Sequence, residues 1–226
     1  MQTAQSSVSA MALSEWPVPL FVPNLIGYLR LLLIIYALHF AHTDAPVFVR
    51  IWTISCALDF FDGLAARRLG QCSRLGELLD LVCDNVSRAA MWIAWCSVNP
   101  PGLPLALGVV SLEWLTCLAT QLSSAMRDSG HWKHVEARPV PSFCAAFFAN
   151  NFVNPLGMWG IAGLFGAPLF LFVCKAWPAA LQHLYPVPPY AIGFTLLSGR
   201  AFCAIIELYF IGDCSRLLIG PKPKSK

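Results

Sequence analysis

Residues 59–84 read DFFDGLAARRLGQCSRLGELLDLVCD, and the four aspartates set into this largely apolar stretch decide how the chain must fold. Asp59 and Asp62 are three residues apart, and Asp80 and Asp84 are four apart. At about 3.6 residues per turn, each pair stands on one face of its own helix. The glycine-containing, basic turn between them lets the two helices fold back together, so the spacing predicts that all four acids converge on one pocket. Four like charges in a low-dielectric setting repel one another or take up protons unless cations hold them together. Hard divalent cations are the natural partners. An all-oxygen ligand set suits Mg²⁺ or Mn²⁺, whereas Zn²⁺ would ask for His or Cys in ligand spacing, and Cys72 and Cys83 stand alone. Two such ions about 4 Å apart suit phosphoryl transfer.

The residues between the acids fit a phosphate-bearing ligand. Gly63 and Ala66 are small and one turn apart beside Asp62, which lets a flat base or a diphosphate approach the helix backbone. Arg67 supplies a fork-shaped donor for phosphate oxygens. Gly76, one turn before Asp80, removes a side chain where the second helix must come close. Taken singly, each has a plainer reading, as a small residue at a helix contact or an arginine at a membrane surface.

With 57% hydrophobic and 12% charged residues in 226, the chain carries more apolar surface than one soluble core can hide. It reads as an all-α integral membrane protein of one domain. The nine cysteines are scattered singly with no CxxC, so they read as packing residues. A formal charge of +3 gives no sign of a nucleic-acid partner, since the basic residues sit at helix ends.

Six spans are expected, at about 20–42, 48–66, 77–98, 103–122, within 142–177, and 188–212. They are flanked by an N-terminal interfacial segment, 1–19, and a basic tail, 214–226, around a membrane domain, 20–213. The fifth span is ambiguous, because Pro155 and Pro168 interrupt it: a kinked long helix and a span with an interfacial segment both fit. Arg30, two turns into the first span, must snorkel or meet an anion. Arg67, Arg68, Arg74, Arg127, Lys133, Arg138, Arg216 and the tail lysines fall on one side against Arg50 and Lys175 on the other. That bias places both termini and a polar active-site cavity at the cytosolic face. His131 and His134 read as part of a solvated loop, and Asn85 of the NVS triplet lies too deep in a helix to be a glycosylation acceptor.

The full pattern, D-x2-D-G-x2-A-R-x8-G-x3-D-x3-D, resembles the signature of the CDP-alcohol phosphatidyltransferases, with every position filled from Asp59 to Asp84. The stretch PNLIGYLR, from Pro23 to Arg30, is similar to the opening of the first membrane helix of the eukaryotic phosphatidylinositol synthase branch. The resemblance implies a phosphatidyl transfer from CDP-diacylglycerol to a small polar alcohol, myo-inositol first among them, with release of CMP. It implies metal ligation by Asp59, Asp62 and Asp80, with Asp84 at the cluster's edge and acting as general base. It assigns Asn24, Gly63, Ala66, Arg67 and Gly76 to the CDP-lipid. Family members are often homodimers, though no stretch here marks an interface. The terminal KPKSK resembles a dilysine retrieval signal, which points to the endoplasmic reticulum; a basic tail drawn to anionic lipid is the plainer reading.

The sequence departs from the inositol-using pattern at three places, where Asn85, Val140 and Asn151 stand at positions otherwise charged. A polyol site loses binding when its buried donors and acceptors change. Asn85, Arg88 and Arg138 are the candidate acceptor-binding residues, with either arginine able to replace a missing charge. Another head-group alcohol, a non-catalytic CDP-lipid-binding relative and, more distantly, an ion-coupled transporter are the rival readings.

Overall fold

The computed structural model describes residues 16–127, 140–184 and 186–220. Arg138, His131, His134 and the dilysine tail lie outside the described residues. No strand occurs among those described, and the chain divides into two compact units, residues 1–98 and 99–226.

The first unit holds three helices, α1 (Val22–Leu38), α2 (Ala45–Leu69) and α3 (Arg74–Val98). Pro23 opens α1, where its missing N–H costs nothing. Asp44 caps α2 by accepting the Val47 N–H at 3.0 Å. Gly70 ends that helix at φ 65° with its N–H on the Ala66 carbonyl, the left-handed stop that glycine adopts without strain. Three residues on, Ser73 Oγ accepts the Gly76 N–H at 3.0 Å and starts α3. The turn between the two acidic helices is therefore built by Gly70 and Ser73.

The simple hairpin expected of α2 and α3 is modified by α1, which packs along both of them while they touch each other only sparsely. Each contact is pinned by a buried hydrogen bond: Ser55 Oγ donates to the Arg30 carbonyl at 3.0 Å, and Cys83 Sγ to the Gly27 carbonyl at 3.4 Å. Trp52 Nε1 donates to the Ser87 carbonyl at 2.9 Å and ties α2 to α3. Ile34, Phe48, Met91 and Trp92 fill the interior.

The second unit holds α4 (Leu103–Arg127), a short α5 (Ser142–Phe148), α6 (Pro155–Ala176) and α7 (Pro189–Ile219). Here α7 packs along both α4 and α6. The α6 contact is backbone on backbone, since a Cβ at Gly163 would stand 2.3 Å from the Arg200 nitrogen. The ambiguous fifth span resolves as α5, a turn with positive φ at Asn150, Asn151 and Phe152, and then α6 with Pro168 inside it. Asn154 stabilises the restart, its Oδ1 accepting the Gly157 N–H at 2.8 Å and its Nδ2 donating to the Ala149 carbonyl at 2.7 Å. Arg127 at the end of α4 donates to both carboxylate oxygens of Asp213 on α7, each at 2.8 Å.

Pro100–Arg127, Pro155–Ala176 and Pro189–Ile219 are long and apolar enough to cross a membrane, which marks a membrane protein. The apolar α1 has 17 residues, and the acids and arginines of α2 and α3 interrupt their apolar runs. Between two of the three apolar helices lies a buried ionic triad: Arg200 contacts Glu207 at 3.0 Å on its own helix and Glu113 at 3.3 Å on α4. One guanidinium here faces two buried carboxylates, so its loss removes the positive charge that both share. Arg200→Gln is expected to cost about 3–5 kcal/mol. Glu113→Gln leaves a balanced pair and is expected to cost far less. Thermal unfolding in detergent checks this, and equal losses would refute it.

Candidate functional site

The four aspartates approach one another from two helices and find a third helix between them. Asp59 and Asp62 lie two to three turns before the end of α2; Asp80 and Asp84 lie in the second and third turns of α3. Arg30 of α1, with a side chain 1% exposed, enters the space they enclose. Its Nη1 lies 2.7 Å from Asp59 Oδ1, 2.9 Å from Asp62 Oδ2 and 3.3 Å from Asp80 Oδ1. Its Nη2 lies 2.9 Å from Asp84 Oδ1. Arg30 has therefore met an anion rather than snorkelled, and it is the central residue that the signature pattern does not contain.

The arrangement leaves the acids undersupplied. Nη1 carries two protons for three carboxylate oxygens. Asp62 and Asp80 take hydrogen bonds from it, and the inner oxygen of Asp59 takes none despite its proximity. With Arg88 acting on Asp84 as well, two guanidinium charges face four formal negative charges. A divalent cation fits these residues: ligand oxygens of Asp59, Asp62 and Asp80 all lie within 4.8 Å of one another. The donor set is all carboxylate oxygen, which suits Mg²⁺ or Mn²⁺. Asp84 falls outside that triplet, on the Nη2 side of Arg30.

Beside the acids opens a pocket of about 160 Å³ lined by Asn24, Gly63, Ala66, Gly76, Asp62 and Asp80, with Gln71, Cys72, Ser73 and Glu77 from the turn and the start of α3. Four of the five residues assigned to the CDP-lipid thus line one cavity. The fifth, Arg67, folds back over Gly63, where an added Cβ would meet its Nη1 at 3.5 Å. Asn24 is fully buried, and its Nδ2 donates to the Val18 carbonyl at 2.6 Å. Its Oδ1 has no hydrogen-bond partner and stands 3.0 Å from where a Cβ at Gly76 would be. The buried amide therefore offers an acceptor at the pocket wall, and a side chain at position 76 would press on it.

Among the acceptor-side candidates, Asn85 is buried, which also argues against its use as a glycosylation acceptor, and its Oδ1 accepts from Arg88 Nη2 at 3.0 Å. Arg88 therefore brings a positive charge onto the neutral residue after Asp84. Gln71 is a pocket residue the sequence reading did not single out: it is buried, and its Oε1 accepts the Val22 N–H at 2.9 Å, tying the turn to the start of α1. A glutamine in a polar turn gives no sequence signal of such a role.

The sequence model of the CDP-alcohol phosphatidyltransferase family matches residues 20–173, and the chain belongs to that family. The first unit and its acids lie almost wholly inside the match. The chain is similar to CDP-diacylglycerol–inositol 3-phosphatidyltransferase 1 of Arabidopsis thaliana, with 34% identity over 54% of this chain and 60% of the relative. It is also similar to the Schizosaccharomyces pombe CDP-diacylglycerol–inositol 3-phosphatidyltransferase, with 34% identity over 82% of this chain and 78% of the relative. The human protein of the same name is 31% identical over 54% of this chain and 50% of its own length. The matched part spans little more than half the length of the Arabidopsis relatives, 60% and 54%. No solved structure matches.

The surplus negative charge yields a prediction independent of any reaction. In EDTA, Asp80→Asn leaves an amide oxygen that can still accept from Arg30 in the longest of its four contacts, and removes a full charge of repulsion. It is expected to raise the melting temperature of the detergent-solubilised protein by a few degrees, a shift of roughly 1 kcal/mol. A fall would show that the four charges are not in conflict.

Proposed function

We propose that the protein transfers a phosphatidyl group from CDP-diacylglycerol to a small polar alcohol, myo-inositol first among them, and releases CMP. The observation that carries this reading is the convergence of Asp59, Asp62, Asp80 and Asp84 on one point at the edge of a pocket lined by Asn24, Gly63, Ala66 and Gly76. The inositol transferases among the relatives support the choice of chemistry and of acceptor.

Asp59, Asp62 and Asp80 would hold Mg²⁺ or Mn²⁺, which when bound screens the diphosphate and stabilises the departing CMP. The small residues Gly63, Ala66 and Gly76 admit the nucleotide close to the helix backbone, and Arg67 donates to its phosphate oxygens. Asn24 offers its Oδ1 as an acceptor inside the same pocket. Asp84, outside the metal triplet, takes the proton of the acceptor hydroxyl as that oxygen attacks the lipid-bearing phosphorus. The new P–O bond forms as the bond to CMP breaks. Asn85, Arg88 and Arg138 are the residues assigned to orient the acceptor.

In this reading the domain of residues 20–213 crosses the membrane of the endoplasmic reticulum six times, with both termini and the active site cytosolic. The three shorter or more charged helices serve as spans, with Asp59, Asp62, Arg67 and Arg68 late in α2 and Arg74, Asp80 and Asp84 early in α3 toward the cytosolic end, and Arg50 at the other. The substrates arrive from the lipid and from the cytosol, and a homodimer accords with the habit of the family. A second acceptor is favoured by specific residues: Asn85, Val140 and Asn151 are neutral where the inositol-using pattern is charged.

An assay of labelled CDP-diacylglycerol with the purified protein and a panel of alcohols tests the reading. CMP release is expected to depend on Mg²⁺ or Mn²⁺ and on inositol. Release that depends on another alcohol and not on inositol would overturn the acceptor assignment, and no release with any would overturn the activity. Asp84→Asn is expected to lower turnover by at least about a hundredfold, within the range for loss of a general base. CDP-lipid binding should be largely retained, and near-normal synthesis would refute the assignment.

A further inference from the structure

Arg30 has no place in the chemistry above, yet it sits where that chemistry must happen. Its Nη1 lies among the same three carboxylates whose oxygens come within 4.8 Å of one another. We propose that Arg30 is a tethered counter-cation that competes with the divalent ion for Asp59, Asp62 and Asp80. It holds the three together before an ion arrives and sets how tightly that ion binds. The proposal rests on the metal-dependent reading of the cluster.

Three observations carry it. First, Arg30 is a poor permanent partner. Nη1 cannot serve three oxygens, the buried Asp59 Oδ1 receives no hydrogen bond, and Arg30 Nε has no partner either. Second, the tether is firm. The carbonyl of residue 30 accepts from the buried Ser55, and Cys83 holds the α1 backbone one turn earlier at Gly27. The backbone of α1 is therefore fixed, and only the flexible side chain is free to yield. Third, the guanidinium has a second hold. Nη2 bonds Asp84 at 2.9 Å, outside the metal triplet, so the side chain can pivot on that bond as Nη1 gives way. Asp84 thereby keeps a cationic neighbour in both arrangements. This makes Arg30 a positioning residue: it acts on the reaction through the carboxylates.

The competition has a sign that simple support lacks. Removing a positive charge from among acids raises their attraction for a cation, whereas removing a brace lets them scatter and lowers it. The full chain, purified in detergent and stripped with EDTA, is titrated with Mn²⁺ while free ion is read by electron paramagnetic resonance. Arg30→Gln is expected to bind Mn²⁺ roughly tenfold more tightly than the parent protein, a change of about 1.4 kcal/mol. It should melt lower in EDTA, with the gap closing as Mn²⁺ saturates both. Arg30→Lys keeps the charge but not the fork, and should fall between the two.

Mn²⁺ affinity of Arg30→Gln equal to or weaker than the parent's would overturn the proposal while leaving the metal reading intact. If Arg30→Gln does not fold, Arg30→Lys decides: affinity above the parent's supports competition, and affinity equal or below refutes it. Absence of Mn²⁺ binding by the parent and both variants would overturn the metal reading and this proposal with it.

Discussion

The structure depends on one electrostatic constraint, the confinement of four carboxylates around a single buried guanidinium. Every device in the first unit serves to bring those charges together. Gly70 ends α2 and Ser73 starts α3, which turns the second acidic pair back toward the first. Ser55 and Cys83 fix α1 against both helices, and so deliver Arg30. Repulsion among like charges would drive the helices apart, and the packing of Ile34, Phe48, Met91 and Trp92 opposes it. A protein that holds such a cluster at the expense of its own stability is set up to bind cations, because binding then releases the repulsion.

The second unit shows another use of buried charge. Arg200 with Glu113 and Glu207 is a polar knot between helices that are apolar enough to cross a membrane. Its cost in a buried, apolar setting is high, and pairing is what makes it tolerable. Close contact at Gly163 and Gly199 brings α6 and α7 within reach of each other, the packing that membrane helices favour when the lipid supplies no hydrophobic drive. Within its own unit α7 thus plays the part that α1 plays in the first, a helix packed along two others.

Much of the site was legible in the sequence because local rules govern it. The i+3 and i+4 spacings of the aspartates put each pair on one helix face, and the small residues one turn away line the same wall. Pro23 marked the start of α1, whereas Asp44, Gly70 and Ser73, ordinary start and stop residues, set α2 and α3 about a turn wider than the expected 48–66 and 77–98. What the sequence could not give was partner choice across the fold. An arginine inside an apolar helix announces that it needs an anion without saying which, and only tertiary packing shows that Arg30 meets all four acids. The position of α1 between α2 and α3 was hidden for the same reason. Arg200 and Glu207 stand two turns apart on one helix, which periodicity shows; their third member, Glu113, comes from a distant helix. The break at Asn150 to Phe152 was obscured because the two prolines drew attention to themselves. Pro168 is carried within α6, and the chain turns at the asparagines, which tolerate positive φ better than most residues.

Family membership rests on the match across residues 20–173, and the reading of the acids as a cation site rests on their geometry. The two come from different observations and lead to the same residues. They diverge on the acceptor, since the relatives are named for inositol while Asn85, assigned to the acceptor in the proposed reading, is neutral and accepts a hydrogen bond from Arg88.

The most direct test of the central claim is a structure of the protein prepared with Mn²⁺, with the ion located by its anomalous scattering. The account predicts Mn²⁺ within coordination distance of Asp59, Asp62 and Asp80, with Arg30 still in contact with Asp84. Manganese bound elsewhere, or these three carboxylates pointing to separate surfaces, would contradict it.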